Sequence, residues 1–194
     1  MPEQKTPPAR DLQALKTRFL GAVESAGLLD VAYATMASPL GELLLAKTRR
    51  GVVRIAFEHE PKDEVLAYLS AHISPRILES PQTLDDVRRE LDEYFSGQRH
   101  NFTLPVDLTL VQGFRREVLK VTVRRLGYGQ VVTYTQVASA AGRPSAVRAA
   151  ATALASNPVP IVVPCHRVIR GDGSLAGYSG GLERKSWLLA LESA

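Results

Sequence analysis

A single cysteine, Cys165, lies in the segment Pro164-Cys165-His166-Arg167-Val168 and is followed directly by a histidine. A thiolate is the nucleophile and a thiol is not, so a reactive cysteine needs a neighbouring group that removes its proton. His166 is a candidate for that base, and with the cations Arg167 and Arg170 it is expected to lower the thiol pKa. A lone cysteine is more often a small buried apolar residue, and the surrounding sequence must decide between these alternatives.

The spacing of Cys165 and His166 limits how they can act together. Ile161–Val163 is predicted to be a short buried extended run that leads to Cys165. In a regular strand the side chains of Cys165 and His166 would point to opposite faces, so no direct contact is expected. The proton would then move through a bridging water, or the backbone would turn sharply at Pro164. An imidazole also needs an acceptor that orients its second nitrogen; otherwise His166 is simply a hydrogen-bonded structural residue. The nearby acidic candidates are Asp172, Glu183 and Glu192.

Composition and charge narrow the class of protein. The 194 residues are 45% hydrophobic and 23% charged, which is ordinary for a globular chain of one large domain or two small ones. One cysteine excludes an internal disulfide and a cysteine-rich zinc site and suits a reducing compartment, so a cytoplasmic location without a membrane is expected. Up to Leu108 there are 13 basic and 16 acidic residues, but from Thr109 onwards there are 11 and 4. The basic half predicts a polyanionic partner, unless these residues only solvate a surface.

The first half of the chain has the pattern of a small α+β domain. Residues 1–30 are predicted to be an extension, disordered at first and then helical from Leu12 to Gly27. Helices are expected after Pro61 and near Leu84, and Phe102–Leu108 is expected to be an edge strand because Pro105 cannot donate to a ladder. The other predicted strands, all within a domain at 31–108, are Val31–Met36, Glu42–Lys47 and Val52–Glu58.

The second half, 109–194, is predicted to be mostly helical. A helix from Phe114 carries a basic stripe of Arg116, Lys120 and Arg124. Thr133 and Gln136 have the spacing of a capping box that opens a short helix, and Pro144–Ser156 forms the next one. Two short helices joined by a tight turn with a glycine indicate a helix-turn-helix.

The helix Pro144–Ser156 has two unlike faces. The apolar face, predicted to be buried, holds Val147, Ala150, Ala151 and Leu154. The outer face holds Ser145, Arg148, Ala149, Thr152, Ala155 and Ser156. Apart from Arg148 these residues are small and offer too few hydrogen-bonding groups to read bases, so docking on DNA by shape is favoured. The alternative is a helix packed on another domain, with Arg148 extending to water.

Several short motifs lie in a fixed order in the second half. They are Thr133-Tyr134, Gly142-Arg143-Pro144, Arg148, Asn157-Pro158, the cysteine segment, Gly177-Tyr178-Ser179-Gly180-Gly181-Leu182, Lys185, Trp187-Leu188-Leu189 and Glu192. From Phe114 to Glu192 this set closely resembles the O6-alkylguanine-DNA alkyltransferases. Over Val31–Leu108 the resemblance is looser and depends on strand order and on Leu91-Asp92-Glu93-Tyr94-Phe95-Ser96-Gly97. It implies an α+β fold in which a small antiparallel-sheet and helix domain precedes a mostly helical, winged-helix-like domain.

The resemblance implies direct-reversal DNA repair. Cys165 would take the alkyl group from O6-alkylguanine in double-stranded DNA, with O4-alkylthymine as a second candidate substrate, and would keep it as a thioether, so that each molecule acts once. His166 would act as base through a water and Glu192 would orient it. Asn157 would brace the turn before the cysteine, and Tyr134 would crowd the target phosphate and help to protonate the leaving base. No cofactor or metal is implied. A monomer is expected, and cooperative binding to DNA is left open.

The resemblance also implies a DNA surface and a pocket for an extruded base. Arg148 would fill the space that the flipped nucleotide leaves. Flipping the nucleotide out of the duplex costs a few kcal/mol. The other residues implied at the DNA surface are Ser145, Ala149, Thr152 and Tyr134. The implied pocket residues are Val168, Tyr178, Ser179, Lys185, which would support the departing charge, and Leu154. Ala151, Thr152 and Ala155 differ from the family pattern, and the last of these would weaken DNA affinity.

Two other classes of function remain open. A DNA-binding regulator without chemistry explains the helix pair and the charge but leaves the cysteine segment unexplained. A cysteine hydrolase that uses Cys165, His166 and Glu192 explains the reactive residues, but it leaves the small-faced basic helix without a role.

Overall fold

Three consecutive strands organise the N-terminal half of the computed structural model, which describes residues 15, 18, 21–23 and 26–193. The helix predicted over Leu12–Gly27 falls largely outside these described residues. The strands β1 (Val31–Ser38), β2 (Gly41–Thr48) and β3 (Gly51–Phe57) pair antiparallel in sequence, as predicted. A fourth strand, β4 (Ile77–Glu79), joins β1 in parallel and was not predicted, since three residues are too few to show an alternating pattern. The sheet order is β3-β2-β1-β4.

Both faces of this sheet are covered. Alternating side chains of the strands point to opposite sides, so each face needs its own apolar partner. Helix α1 (Lys62–His72) places Val65 and Leu69 on one face. A one-turn 3-10 helix (Pro81–Leu84) and helix α2 (Asp85–Phe95) cover the other face. The apolar cluster on that second face continues without a break into the C-terminal half as far as Leu188.

The segment Phe102–Leu108 is not the edge strand that we predicted. It lies beside β3 but forms a single parallel bridge, between Val52 and Val106. Val52 donates its N–H to Pro105 O at 2.8 Å and accepts one from Asp107 N at 2.8 Å. Because Pro105 has no N–H, the ladder cannot extend.

The C-terminal half supplies the helices that surround the cysteine segment. Its elements are α3 (Gly113–Arg125), β5 (Val132–Thr133), α4 (Tyr134–Ala140), α5 (Val147–Ala155), a 3-10 turn (Cys165–Arg167), β6 (Val168–Ile169) and α6 (Leu182–Leu191). Strands β5 and β6 pair in parallel, and α4 and α5 pack on each other and on α3. The capping box is confirmed, since Thr133 Oγ1 accepts from Gln136 N at 3.3 Å and Gln136 Oε1 accepts from Thr133 N at 2.7 Å.

Two predictions about helix faces need correction. Helix α5 begins at Val147, after a turn, and its buried residues are Ala150, Ala153 and Leu154. Val147 and Ala151 are only half-buried, because the helix packs on two neighbouring helices at once. The prediction of a basic stripe on the outer face of α3 is also wrong, because the Arg116 side chain is half-buried and donates to the carbonyls of Val111 and Leu108.

The remaining members of the stripe differ as well. Lys120 pairs with Glu117 at 2.9 Å within α3, whereas Arg124 is exposed.

Within the described part of the chain, no helix has the length and apolar character needed to cross a membrane.

Candidate active site

Cys165 opens the 3-10 turn and is only 3% exposed. The run Ile161–Val163 before it was predicted to be extended, but it is a tight turn in which Val163 N donates to Val159 O at 2.9 Å. Ile161 has φ 74°, and a buried β-branched residue rarely adopts this left-handed conformation. Such strain persists only where the surrounding structure enforces it.

Asn157 enforces the turn and contacts the sulfur. Its Oδ1 accepts from Val159 N at 3.0 Å, and its Nδ2 donates to Val163 O at 3.0 Å and to Cys165 Sγ at 3.0 Å. Asn157 is buried directly after the end of α5. The amide therefore ties the end of this helix to the only cysteine in the chain.

The resting state of Cys165 differs from our expectation. Burial raises the pKa of its thiol to about 11, although the hydrogen bond from Asn157 and the charge of Lys185 oppose this rise. Arg167 does not lower it as predicted, because its guanidinium is occupied by Glu192 and by Leu126 O. The sulfur is therefore a neutral thiol until a base acts on it.

Glu192 is the acidic partner of His166. Helix α6 brings Glu192 Oε1 to 2.9 Å from His166 Nε2, and both side chains are buried. Burial alone would raise the pKa of this carboxyl. Hydrogen bonds from His166, Arg167 and Tyr94 outweigh that effect and lower the pKa to about 2. Glu192 is therefore an ionised acceptor at neutral pH.

His166 is held as a neutral base. Burial lowers the pKa of its imidazole, although the neighbouring Glu192 carboxylate opposes this effect. Since Nε2 faces Glu192, its proton is assigned to that nitrogen. Nδ1 is buried and has no hydrogen-bond partner among the described residues. No hydrogen bond joins the His166 side chain to Cys165 in this part of the chain, in agreement with the spacing argument, and the bridging water remains a prediction.

Two tyrosines of the expected site, Tyr178 and Tyr134, lie near the thiol. Burial and the charge of Cys165 raise the pKa of Tyr178 and, less strongly, that of Tyr134. Both rings therefore lie close enough to sense the sulfur. Tyr178 Oη and Ser179 Oγ are buried and have no partner among the described residues.

Lys185 lies fully buried beneath the turn that carries the cysteine. Its Nζ donates to Val168 O at 2.6 Å and to Ala176 O at 3.3 Å. Burial lowers the pKa of its ammonium, while Cys165 opposes the change. Val168 and Leu154 are buried as well. Lys185 therefore holds the turn and places a cation near the sulfur.

The N-terminal half braces the loop that contains Tyr178. The ring of Phe57, at the end of β3, meets that of Tyr178 edge-on, with the centroids 5.9 Å apart. A Cβ atom on Gly180 would lie 2.8 Å from Phe57, so only glycine fits there. Arg184 donates to Gly180 O at 3.0 Å and to Leu40 O at 2.7 Å. Both halves thus hold the loop that contains Tyr178.

The expected DNA surface is mostly exposed. Ser145, Arg148, Ala149 and Thr152 lie on the outer side of α5 and of the turn before it. Tyr134 differs from them, since it is 8% exposed at the start of α4. The contact of these residues with DNA stays a prediction.

Two residues of the site were not paired with Glu192 from the sequence. Tyr94 donates its hydroxyl to Glu192 Oε1 at 2.6 Å from the N-terminal half, and Arg167 binds both oxygens of the same carboxylate. Both lie in motifs that carried the family resemblance, so the motifs were the available signal. Their pairing with Glu192 depends on contacts across 98 and 25 residues of sequence, which local patterns do not report.

Comparison with known proteins agrees with this geometry over nearly the whole described chain. Residues 31–108 match the family model "6-O-methylguanine DNA methyltransferase, ribonuclease-like domain" and residues 113–194 match "6-O-methylguanine DNA methyltransferase, DNA binding domain". The inducible methylated-DNA–protein-cysteine methyltransferase of Bacillus subtilis (strain 168) is 38% identical over 149 residues, which cover 76% of this chain and 82% of that protein. The Rattus norvegicus methylated-DNA–protein-cysteine methyltransferase is 35% identical over 177 residues, 86% of this chain and 84% of that protein.

The fold is also similar to solved structures. The crystal structure of Mycobacterium tuberculosis OGT in complex with DNA superposes with a TM-score of 0.71 and 31% sequence identity, covering 84% of this chain and 92% of that chain. The α+β fold inferred from the sequence is confirmed by this likeness. The two family matches, the curated relatives and the buried cysteine site lead to one conclusion: the chain belongs to the 6-O-methylguanine DNA methyltransferase family.

Proposed function

We propose that this chain repairs O6-alkylguanine in double-stranded DNA by transferring the alkyl group irreversibly to Cys165. Four buried polar atoms have no partner among the described residues, and three of them, which lie in the C-terminal half, carry the proposal. They are His166 Nδ1, Tyr178 Oη and Ser179 Oγ. Leaving a buried polar group unsatisfied costs about 1–3 kcal/mol. These atoms belong to the residue after Cys165 and to the loop of Tyr178, whose pKa burial and the charge of Cys165 raise, and they support a site for a polar ligand and a water.

His166 and Cys165 carry the first step. A thiol whose pKa is raised to about 11 contains very little thiolate at neutral pH. The free lone pair on His166 Nδ1 accepts the thiol proton through a water, and the Glu192 carboxylate stabilises the imidazolium that forms. Asn157 Nδ2, 3.0 Å from Sγ, stabilises the developing negative charge on sulfur.

The second step forms one bond and breaks one bond. The sulfur attacks the alkyl carbon, the S–C bond forms, and the C–O6 bond breaks with its electron pair on the purine. Tyr134 supplies a hydrogen bond and a proton to the leaving guanine, and the charge of buried Lys185 supports the departing anion. The product is a thioether on Cys165, which has no path back to a thiol, so one protein accepts one alkyl group.

The C-terminal unit, 109–194, provides DNA binding and alkyl acceptance in this proposal. The outer side of α5 is flat because its residues are small, and it docks against the duplex without reading bases. The long cation Arg148 fills the gap that the extruded nucleotide leaves, which offsets part of the flipping cost of a few kcal/mol. One protein molecule binds at each lesion.

The test is a single incubation with duplex DNA that contains O6-methylguanine. We expect the intact mass to rise by one methyl group per protein, with the added mass on the peptide that holds Cys165 and no second turnover. The Cys165→Ser variant should bind the same duplex without gaining mass. A wild-type protein that binds but never gains a methyl would indicate a regulator, and turnover of a thioester or ester would indicate a hydrolase.

A further inference from the structure

Tyr94 links the N-terminal half to the reacting centre. It lies in α2, is fully buried, and donates its hydroxyl to Glu192 Oε1 at 2.6 Å. The same oxygen accepts from His166 Nε2 at 2.9 Å. One carboxylate oxygen is therefore shared by a tyrosine and by the candidate base. This sharing is not needed to fold α2, because a phenylalanine would fill the same apolar space.

The Glu192 carboxylate is saturated with donors. Besides Tyr94 and His166, it accepts from Arg167 Nε and Nη2 at 2.8 Å each and from Gly129 N at 3.2 Å. An ionised carboxylate only accepts hydrogen bonds, so each of these groups must direct a hydrogen towards it. The proton of neutral His166 is therefore fixed on Nε2, and the lone pair is left on Nδ1.

We propose that Tyr94 is a positioning residue that limits how strongly Glu192 attracts the His166 proton. Its hydroxyl takes up part of the negative charge on Oε1, so less of that charge stabilises an imidazolium. His166 then stays neutral over a wider range of pH and can accept the thiol proton. The inference rests on the proposed function for its kinetic consequence, but its electrostatic part can be measured without DNA.

The other charged groups that face His166 are also accounted for. Glu192 raises the imidazole pKa, whereas Arg167 and Lys185 lower it. Arg167 and Lys185 remain in place when the tyrosine hydroxyl is removed, because Arg167 is bound by Glu192 and by Leu126 O and Lys185 by two carbonyls. A Tyr94→Phe substitution therefore changes one hydrogen bond to the carboxylate and little else.

In Tyr94→Phe the carboxylate attracts the His166 proton more strongly, so the pKa of His166 rises. As the solution is acidified, the rate of alkyl transfer in Tyr94→Phe should begin to fall at a pH about one unit higher than in the wild type. The ratio of wild-type to variant rates should stay near one in mildly alkaline solution and grow to about tenfold on the acid side.

Tyr128→Phe is the matched control. The Tyr128 ring packs edge-on against Tyr94, with the centroids 6.1 Å apart, and its hydroxyl donates to Leu191 O, one residue before Glu192. Tyr128 does not touch the carboxylate, so the transfer rate of Tyr128→Phe should fall on the acid side at the same pH as that of the wild type. Equal slowing of both variants at every pH, with equal loss of thermal stability, would overturn the proposal and make Tyr94 a packing residue.

A second pair of measurements guards against a misfolded variant. Replacing Tyr94 with 3-fluorotyrosine keeps its shape but makes the phenol a stronger donor, so the acid limb should move to lower pH. Nitrogen-15 NMR of the histidine rings should show His166 protonated on Nε2, with a pKa that rises in Tyr94→Phe and falls with the fluorinated residue. An unchanged His166 pKa in both proteins would refute the inference. Normal NMR shifts in a protein that never accepts a methyl would refute the proposed function alone.

Discussion

Asn157 donates a hydrogen bond to the sulfur of Cys165 at 3.0 Å while its Oδ1 accepts the N–H of Val159 at 3.0 Å. One amide therefore holds the turn in which Ile161 has φ 74° and contacts the nucleophile at the same time. Because Asn157 directly follows α5, a shift of that helix on DNA would be transmitted to the sulfur within a few residues.

Replacing this amide should separate its two roles. In Asn157→Asp the carboxylate can still accept from Val159 N, but it cannot donate to sulfur, and its charge opposes thiolate formation. We expect alkyl transfer to slow by about a hundredfold or more, which is a larger loss than in Asn157→Ala. A change of about two units in the thiol pKa lowers the thiolate population by that factor. Rapid-quench transfer from a methylated duplex measures both rates.

Asn157→Ala tests the structural role. Losing the amide leaves the buried N–H of Val159 unsatisfied, whereas the Val163 carbonyl still accepts from Cys165 N at 2.7 Å. This should cost about 1–3 kcal/mol of unfolding free energy. Urea unfolding checks this figure. If Asn157→Ala transferred the methyl as fast as the wild type, the contact with sulfur would have no part in the chemistry. Equal rates in Asn157→Asp and Asn157→Ala would mean that a negative charge beside the sulfur has no effect.

The resting thiol makes a second, spectroscopic prediction. Since burial raises the pKa of Cys165 to about 11, the ultraviolet absorbance of a thiolate should be absent at neutral pH and should appear only in strongly alkaline solution. The measurement is the difference between wild type and Cys165→Ser during a pH titration. Thiolate absorbance near neutral pH would instead mean that the protein stores an anion before DNA arrives.

The sequence predicted most of what lies close together along the chain. The three strands, the capping box at Thr133 and the exposed face of α5 follow from periodicity and local hydrogen bonding, which depend on neighbouring residues. The choice of Glu192 as the partner of His166 came from the family resemblance, because the residues alone left Asp172, Glu183 and Glu192 as equal candidates. Its geometry is in the structure, while its role stays a prediction.

The errors have a common physical origin in tertiary context. The extended run before Cys165 became a turn because Asn157 binds three groups at once, a constraint invisible to hydrophobic pattern. The thiol pKa was expected to be low because cations are near in sequence. The Arg167 guanidinium, however, pairs with the Glu192 carboxylate, and burial of the sulfur raises the thiol pKa more than the remaining charges lower it. Burial and partner choice depend on the whole fold.

The exposed cation of α5 should matter for duplex DNA only. In Arg148→Ala we expect repair of a methylated duplex to slow about tenfold or more, because the extruded state loses the group that fills the vacated stack. Transfer from the free base O6-methylguanine, which needs no flipping, should change by less than about twofold. Single-turnover rates on the two substrates measure the difference.

Arg124→Ala is the control, since Arg124 is also exposed but lies at the end of α3. It removes the same charge and should lower DNA affinity slightly without changing the ratio of the two rates. An equal loss on duplex and free base in Arg148→Ala would contradict the gap-filling role.

The Glu192 carboxylate should make folding stability depend on acidity. Its pKa is about 2 in the folded protein, below the ordinary value of 4.5 for an unfolded chain. The stabilisation is therefore complete above pH 4.5 and is lost as the pH falls towards 2. Linkage puts its size on the order of 3 kcal/mol. Urea unfolding followed through Trp187 fluorescence, repeated from neutral pH downwards, should show this loss.

Glu192→Gln isolates this contribution because glutamine does not titrate. At neutral pH the variant should be less stable by about 3–5 kcal/mol, since Arg167 is left buried without its carboxylate. The gap between wild type and variant should then narrow as the pH falls through the interval in which Glu192 is protonated. Glu183→Gln, an exposed change in the same helix, should unfold with the wild-type pH profile. A constant gap between wild type and Glu192→Gln down to acid pH would mean that the network does not hold Glu192 ionised.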